Sequence, residues 1–179
     1  GSLCGPVVAA AVILPNDFTN KNLDDSKKMS FKKRNELSEI IYKEALACEI
    51  GIVSPKEIDK INILQASILS MHKAIEKITL TFELILVDGP HFKKYKNFNH
   101  KCIIRGDSKY QAIAAASIIA KTYRDELMMK MHVDYPQYKW CRNKGYPTPE
   151  HRQAIINFGI TNHHRKSFKL INNQTTLNI

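Results

Sequence analysis

Apolar and polar positions divide the chain into alternating strand-like and helix-like stretches. Pro6 to Leu14 reads PVVAAAVIL, a continuous apolar run of strand length, which predicts a strand buried on both faces. Polar residues follow from Pro15 to Ser30. Ser30 is placed to cap a helix whose buried side carries Leu37, Ile40, Ile41 and Ala45. Leu46 to Val53 alternates, with Leu46, Cys48, Ile50 and Ile52 on one face of a second strand. Ser54-Pro55-Lys56-Glu57 opens a helix with Ser54 as N-cap, Pro55 as first helical residue and Glu57 as partner in a capping box. Beyond it, Leu64, Ile68, Met71, Ile75 and Ile78 recur at helical spacing and form a core-facing stripe. Phe82 to Val87 is a strand ending at Asp88-Gly89, and Cys102 to Arg105 a shorter one ending at Gly106-Asp107. Ala112 to about His132 is a long alanine-rich helix. Thr148-Pro149 opens one more, and the tail from Asn172 is polar and expected to fray. Strands alternating with helices imply an α/β fold. No repeat or linker divides the chain, so residues 1–179 are read as a single domain.

Charge narrows the picture. Lys and Arg total 27 against 17 Asp and Glu, a formal net charge of +10, which favours a polyanionic partner and nucleic acid first. A basic surface of solvated lysines accounts for the same balance. No apolar run is long enough to span a bilayer, so no membrane partner is expected. The four cysteines, at 4, 48, 102 and 141, form no CxxC pair and no zinc spacing. Three stand in apolar surroundings as small core residues, and their pattern suggests a reducing cytoplasm without disulfides.

Two acidic residues stand out as candidate chemistry. Asp88 follows a buried strand, and ligands of open α/β sheets gather at the carboxyl ends of strands. The same residue also reads as a turn-capping Asp. Asp107 ends the next strand and starts a Gly-Asp-Ser-Lys segment, where it reads either as a second carboxylate for a divalent cation or as a helix-start acid. Residues 91–101, HFKKYKNFNHK, interleave lysines with Phe92, Tyr95 and Phe98. They suit phosphate contact and base stacking, or equally a solvated loop with aromatic anchors. The histidines show no metal spacing. His163-His164-Arg165 reads as a phosphate contact or as surface.

Gly5-Pro6-Val7-Val8-Ala9-Ala10-Ala11 looks like the strand after an Asp-Glu-x-Gly-Arg-Gly signature, and Asp25-Ser26-Lys27-Lys28 like an Asp-Ser-Lys loop; with the segments that follow, taken in order, they resemble the ribonuclease HII family. Asn62-Ile63-Leu64-Gln65-Ala66 is similar to its central helix motif. Val87-Asp88-Gly89 and Gly106-Asp107-Ser108-Lys109 match its two later carboxylate motifs. Ala114 to Lys121, with Arg124-Asp125, matches its signature helix. Lys144-Gly145-Tyr146-Pro147-Thr148, with His151, matches its junction-reading segment, and His164-Arg165-Lys166-Ser167-Phe168 its C-terminal motif.

The resemblance implies a ribonuclease H-like α/β/α domain with a mixed sheet and additional C-terminal helices. It implies an endoribonuclease of RNA–DNA hybrids and of ribonucleotides embedded in duplex DNA, leaving 5′-phosphate and 3′-hydroxyl ends. Two divalent ions, Mg2+ or Mn2+, four carboxylates, a monomer and a cytoplasmic location belong to the same expectation. Asp88 and Asp107 map to metal ligands. Tyr146 maps to the ring that stacks on the deoxyribose side of an RNA–DNA junction. Lys27 or Lys28 maps to a phosphate contact, and Gly1, Ser108 and Lys109 to nucleic-acid contacts. Asp125 is expected to order its helix rather than hold metal. Gly1 aligns with the last glycine of Gly-Arg-Gly, so the Asp-Glu pair and the strand that carries it fall before Gly1. The chain is therefore expected to be N-terminally incomplete and inactive alone. Two alternatives stay beside this one: a ribonuclease HIII-like hybrid nuclease, and a noncatalytic nucleic-acid-binding fragment.

Overall fold

The computed structural model describes residues 1–23 and 29–171, so Lys27 and Lys28 and the tail from residue 172 lie outside the described residues. Contacts gather into two compact units. One comprises Gly1–Val7, Val53–Ala66 and the chain from Arg124; the other comprises Val8–Ile52 and Ser67–Tyr123.

The second unit holds most of the strands. Strand β1 (Val7–Ile13) pairs with β2 (Ala47–Val53), and the Leu46 N–H donates to Ile13 O at 2.8 Å where the two meet. Helix α1 (Phe31–Glu44) lies between them in sequence, and Ser30 caps it by accepting the Lys33 N–H. Its buried arc is Arg34, Leu37, Ser38 and Ile41. Ile40, expected inside, is exposed. At 100° per residue it falls about 60° outside that arc. Leu46, expected on the inner face of β2, precedes the strand and is 60% exposed. Leu37 and Ile41 pack with Ala115, Ile118 and Ile119 of α3 (Gln111–Asp134), beside Ala10, Val12, Cys48 and Ile50 from the strands.

Helix α2 (Pro55–Glu76) starts on the expected box: the Ser54 N–H donates to Glu57 Oε2 at 2.9 Å, and the Glu57 N–H returns to Ser54 Oγ at 3.3 Å. The helix is not continuous. Asn62 has φ 67° and ψ 167°, and its Oδ1 accepts the N–H groups of Leu64 and Gln65, capping a second helical start. The hydrophobic period restarts there, so Ile68 and Ile75 are buried while Leu64 is exposed. Helix and sheet approach closely at Gly51: a Cβ there would overlap Ser70 O and lie 2.6 Å from Ala74 N, so only glycine fits.

Strand β3 (Leu84–Asp88) pairs in parallel with β4 (Asn99–Ile103). Strand β4 starts three residues before the expected Cys102, because its ladder with β3, not its propensity, sets the start: Asn99 stands opposite Leu84. Among the described residues the strands form two two-stranded sheets, β1–β2 and β3–β4.

In the first unit, α4 (Trp140–Asn143) and α5 (Pro149–Phe158) follow α3. Thr148 caps α5 by accepting the His151 N–H, with Pro149 in the first turn, as the sequence indicates. Leu3, Cys4, Met128, Tyr138, Trp140, Ile155 and Leu170 make the core of this unit.

Candidate functional site

Parallel pairing of β3 and β4 sets the two strands' carboxyl ends side by side, with Asp88 opposite Ile103. The Gly89 N–H donates to Ile103 O at 2.9 Å. Beyond β4 the chain turns at Arg105, which takes the left-handed conformation (φ 55°, ψ 48°), and enters a 3-10 turn over Gly106–Ser108. The Gly106 N–H then donates to Asp88 Oδ1 at 2.9 Å. One carboxylate thus holds the backbone next to the other: Asp88 faces solvent, and Asp107 is buried in the turn. Ser108 Oγ donates to Arg105 O at 2.9 Å and Lys109 Nζ to Ile104 O at 3.0 Å, so both side chains brace the turn. An ammonium has three donors, and one carbonyl leaves Lys109 able to meet a phosphate as well.

Hard carboxylate oxygens at rigid strand ends suit a divalent cation of the magnesium type. Among the described residues, no group of three or more His, Cys, Asp and Glu is arranged to hold a metal. Asp88 and Asp107 are two carboxylates near the carboxyl ends of neighbouring strands, one exposed and one buried.

A groove of about 670 Å³ runs along these strands. Its walls are β1 from Val8 and β3 from Leu84 to Asp88, with Met71, Ile75, Ile113 and Ala116 also lining it. Strand β1, expected to be buried on both faces, is half-buried throughout, because the groove lies open beside it. Neither β1 nor β3 has a second strand partner among the described residues.

The basic aromatic segment resolves in favour of anchoring. Tyr95 is buried, and Phe92 and Phe98 pack with it against Ile75, Ile85 and Val87. Phe82 and Phe98 stack at 4.4 Å between centroids. The rings are taken up by the core, so they are not a stacking platform; Lys93 and Lys94 remain outside.

Tyr146 stands in the other unit, on a segment held by several backbone hydrogen bonds. Its N–H donates to Asn143 O, and its carbonyl accepts the Thr148 N–H and His151 Nδ1 at 2.8 and 2.9 Å. Asn143 Oδ1 accepts the Gly145 N–H, and Gly145 O accepts the Leu3 N–H at 2.7 Å. Gly145 has φ 78°, and a Cβ there would lie 2.7 Å from Cys4 O, so the approach of the two chains depends on glycine. The start of the chain, expected to contact nucleic acid through Gly1, is thus joined to the segment carrying Tyr146. Tyr146 is 46% exposed, with the Arg124 guanidinium 5.8 Å from its ring centroid.

Two arginines fix this arrangement. Arg124 donates to Pro6 O, Lys144 O and Cys4 O, and Arg165 to Gly5 O and Pro6 O. Residues 3–5 also pair with 163–165 through Gly5 N–H to His163 O and Arg165 N–H to Leu3 O. Burial, with Arg124 beside it, pushes the Arg165 guanidinium down to about 10. Burial pushes the Cys4 thiol up to about 12, as expected of a core thiol. The Cys4, Cys48, Cys102 and Cys141 thiols are all free.

Three residues have structural roles that sequence reasoning did not assign. His164 and Arg165 were read as surface or phosphate contacts, and both are buried. His151 is fully buried against Trp140. The Thr148-to-His151 spacing marks a helix start and gives no sign that the imidazole turns inward. Asp125 is buried on α3, beside Arg124, in keeping with a role in ordering its helix.

The fold has counterparts among solved structures. The ribonuclease H2 of Pyrococcus horikoshii OT3 superposes with a TM-score of 0.80 at 21% identity, covering 95% of this chain and 90% of that one. The ribonuclease HII in the PCNA:RNase HII complex from Archaeoglobus fulgidus gives 0.75 at 25% identity, covering 99% and 94%. The fold is that of the type 2 ribonucleases H, α/β enzymes that depend on divalent metal. The sequence profile of ribonuclease HII matches residues 1–171. The ribonuclease HII of Parabacteroides distasonis is 55% identical over 177 residues, 99% of this chain and 89% of that protein. The chain belongs to the ribonuclease HII family, and the ribonuclease HIII alternative gives way to it. No helix among the described residues is long and apolar enough to cross a membrane.

Proposed function

We propose that this ribonuclease cuts the RNA strand of RNA–DNA hybrids and at ribonucleotides embedded in duplex DNA, leaving 5′-phosphate and 3′-hydroxyl ends. The observation that carries the chemistry is the bond from Gly106 N–H to Asp88 Oδ1, which sets two carboxylates at adjoining strand ends. Asp88 and Asp107 would hold the divalent ions, Mg2+ or Mn2+. When bound, such ions stabilise the attacking and leaving oxygens of a phosphodiester displacement. The chain's own task is to fix its carboxylates before substrate arrives, through the β3–β4 ladder and the braced turn after it.

Two carboxylates are too few for a pair of ions. The groove between β1 and β3 leaves one edge of each strand, among the described residues, open to a further strand that would carry more carboxylates. Such a strand would complete the hydrogen bonding of both edges. Tyr146 would present its ring to the sugar that follows a ribonucleotide, and the Gly1 end of the chain would contact the same nucleic acid. Lys109 and either Lys27 or Lys28 would meet phosphates, in keeping with the net charge of +10. Four free thiols suit a reducing compartment such as the cytoplasm.

The test is cleavage of a labelled DNA duplex bearing one ribonucleotide, with products mapped against alkaline and nuclease ladders. Incision 5′ to the ribonucleotide that stops in EDTA and returns with Mg2+ or Mn2+ supports the reading. Metal-independent cutting, or equal cutting of an all-DNA duplex, overturns it.

A further inference from the structure

Beneath the Tyr146 segment lies a closed set of buried rings, namely Trp140, His151, His164 and Tyr138. Each polar atom between them has an assignable role. The Trp140 indole can only donate, and its Nε1 lies 3.1 Å from His151 Nε2, so that nitrogen is an acceptor and carries no proton. The proton of His151 is therefore on Nδ1, from which it donates to Tyr146 O at 2.9 Å. His164 is fixed by the same logic. The Thr161 N–H donates to His164 Nδ1 at 2.9 Å, which leaves the proton on Nε2, 3.3 Å from His151 Nε2. Both histidines are thus neutral and locked in opposite tautomers. A second proton on His151 would set Nε2–H against the Trp140 N–H and the His164 N–H, a donor facing two donors.

We propose that His151 is a positioning residue for Tyr146. Its tautomer, imposed by Trp140 and His164, ties the Tyr146 carbonyl to a buried frame and so fixes the direction in which the exposed ring is presented. Helix α5 contributes to this through its first turn. Thr148 caps the helix at the His151 N–H, and the same residue's side chain turns back to Tyr146, two positions before the cap. The loop between Tyr146 and the helix is clamped at both ends by one residue. The specificity role of the ring rests on the function proposed above; the clamp itself does not.

The experiment uses the full-length protein, three substitutions at His151 and one at Tyr146. In His151→Asn, the amide nitrogen takes the place of Nδ1 and can still donate to Tyr146 O, while the Nε2 acceptor is lost. In His151→Gln, the polar group takes the place of Nε2 and the bond to Tyr146 O is lost. His151→Leu loses both. Two readouts are taken well below the melting temperature of each variant. One is the ratio of affinities for a fluorescein-labelled duplex with a single ribonucleotide and its all-DNA equivalent. The other is amide hydrogen exchange at Tyr146 and Thr148.

The expected result is that His151→Asn keeps the affinity ratio, while His151→Gln and His151→Leu lower it about 2–10-fold, the span of one hydrogen bond. Exchange at the two amides rises by a similar factor in the latter pair only. Long-range proton–nitrogen spectra at neutral pH are expected to show His151 protonated at Nδ1 and His164 at Nε2. The proposal is overturned if either tautomer is reversed. It is also overturned if Asn and Gln fall together in proportion to lost stability, or if Leu leaves exchange at both amides unchanged. Tyr146→Ala separates the two levels. If it leaves the affinity ratio intact, the junction reading of the ring fails, and amide exchange alone decides whether His151 positions the segment.

Discussion

Asp88 Oδ1 lies 2.9 Å from Gly106 N, and that single bond couples the two acidic motifs of the chain across the parallel β3–β4 ladder. It orients one carboxylate oxygen toward the backbone that places the other carboxylate. The pair is therefore built as a unit, and a change at Asp88 removes the acceptor that seats the Gly106–Ser108 turn as well as the charge that, in the function proposed above, would face the metal.

From this follows an asymmetry between the two acids. Asp107→Asn and Asp88→Asn are each expected to lower Mg2+-dependent turnover by more than the roughly 10–100-fold typical of groups behind a metal ligand. Asn at position 88 keeps an acceptor oxygen for Gly106, whereas Asp88→Ala does not. Asp88→Ala is thus expected to lower thermal stability beyond Asp88→Asn by about 1 kcal/mol. Single-turnover cleavage and urea unfolding measure the two quantities. Near-wild-type turnover of either Asn variant would assign its Asp to the turn alone.

Tyr146→Ala in the complete enzyme is expected to cost about 1–3 kcal/mol in kcat/KM at a single embedded ribonucleotide, the range for stacking on an aromatic ring. A long RNA–DNA hybrid is expected to suffer less, since it offers no junction to the ring. Equal losses on both substrates, with circular dichroism unchanged, would remove Tyr146 from junction recognition.

The buried histidine pair predicts a pH dependence of stability. Burial, reinforced by His151, pushes His164 down to about 4 from an ordinary value of 6.5. Burial lowers His151 as well. Because the folded value is depressed, the unfolded chain binds the proton first as pH falls. His164's contribution is fully present above pH about 6.5 and is lost progressively toward pH about 4, amounting to about 3 kcal/mol. Urea unfolding at pH 7, 6 and 5 should show wild type losing more stability than His164→Asn over this span. Parallel slopes for the two proteins would contradict it.

Much of this molecule is local enough to be written in its sequence. The capping box at Ser54, the caps at Ser30 and Thr148, the apolar run of β1 and the Asp-Gly ending of β3 each depend on neighbours within a few residues, so residue type decides them. The carboxylate motifs were legible for the same reason, since strand ends and turns announce themselves by Gly and Asp. Contacts across the chain decided the rest. The start of β4 came from its ladder with β3 rather than from propensity, and the exposure of Ile40 from which arc of α1 met a partner. The rings of Phe92, Tyr95 and Phe98 went to the core because Ile75, Ile85 and Val87 offered them apolar surface, which the alternation of lysine and aromatic could not reveal. His151 and His164 show the limit most clearly. Thirteen residues apart in sequence, they became buried partners only when packing against Trp140 removed water and gave every ring nitrogen a polar neighbour.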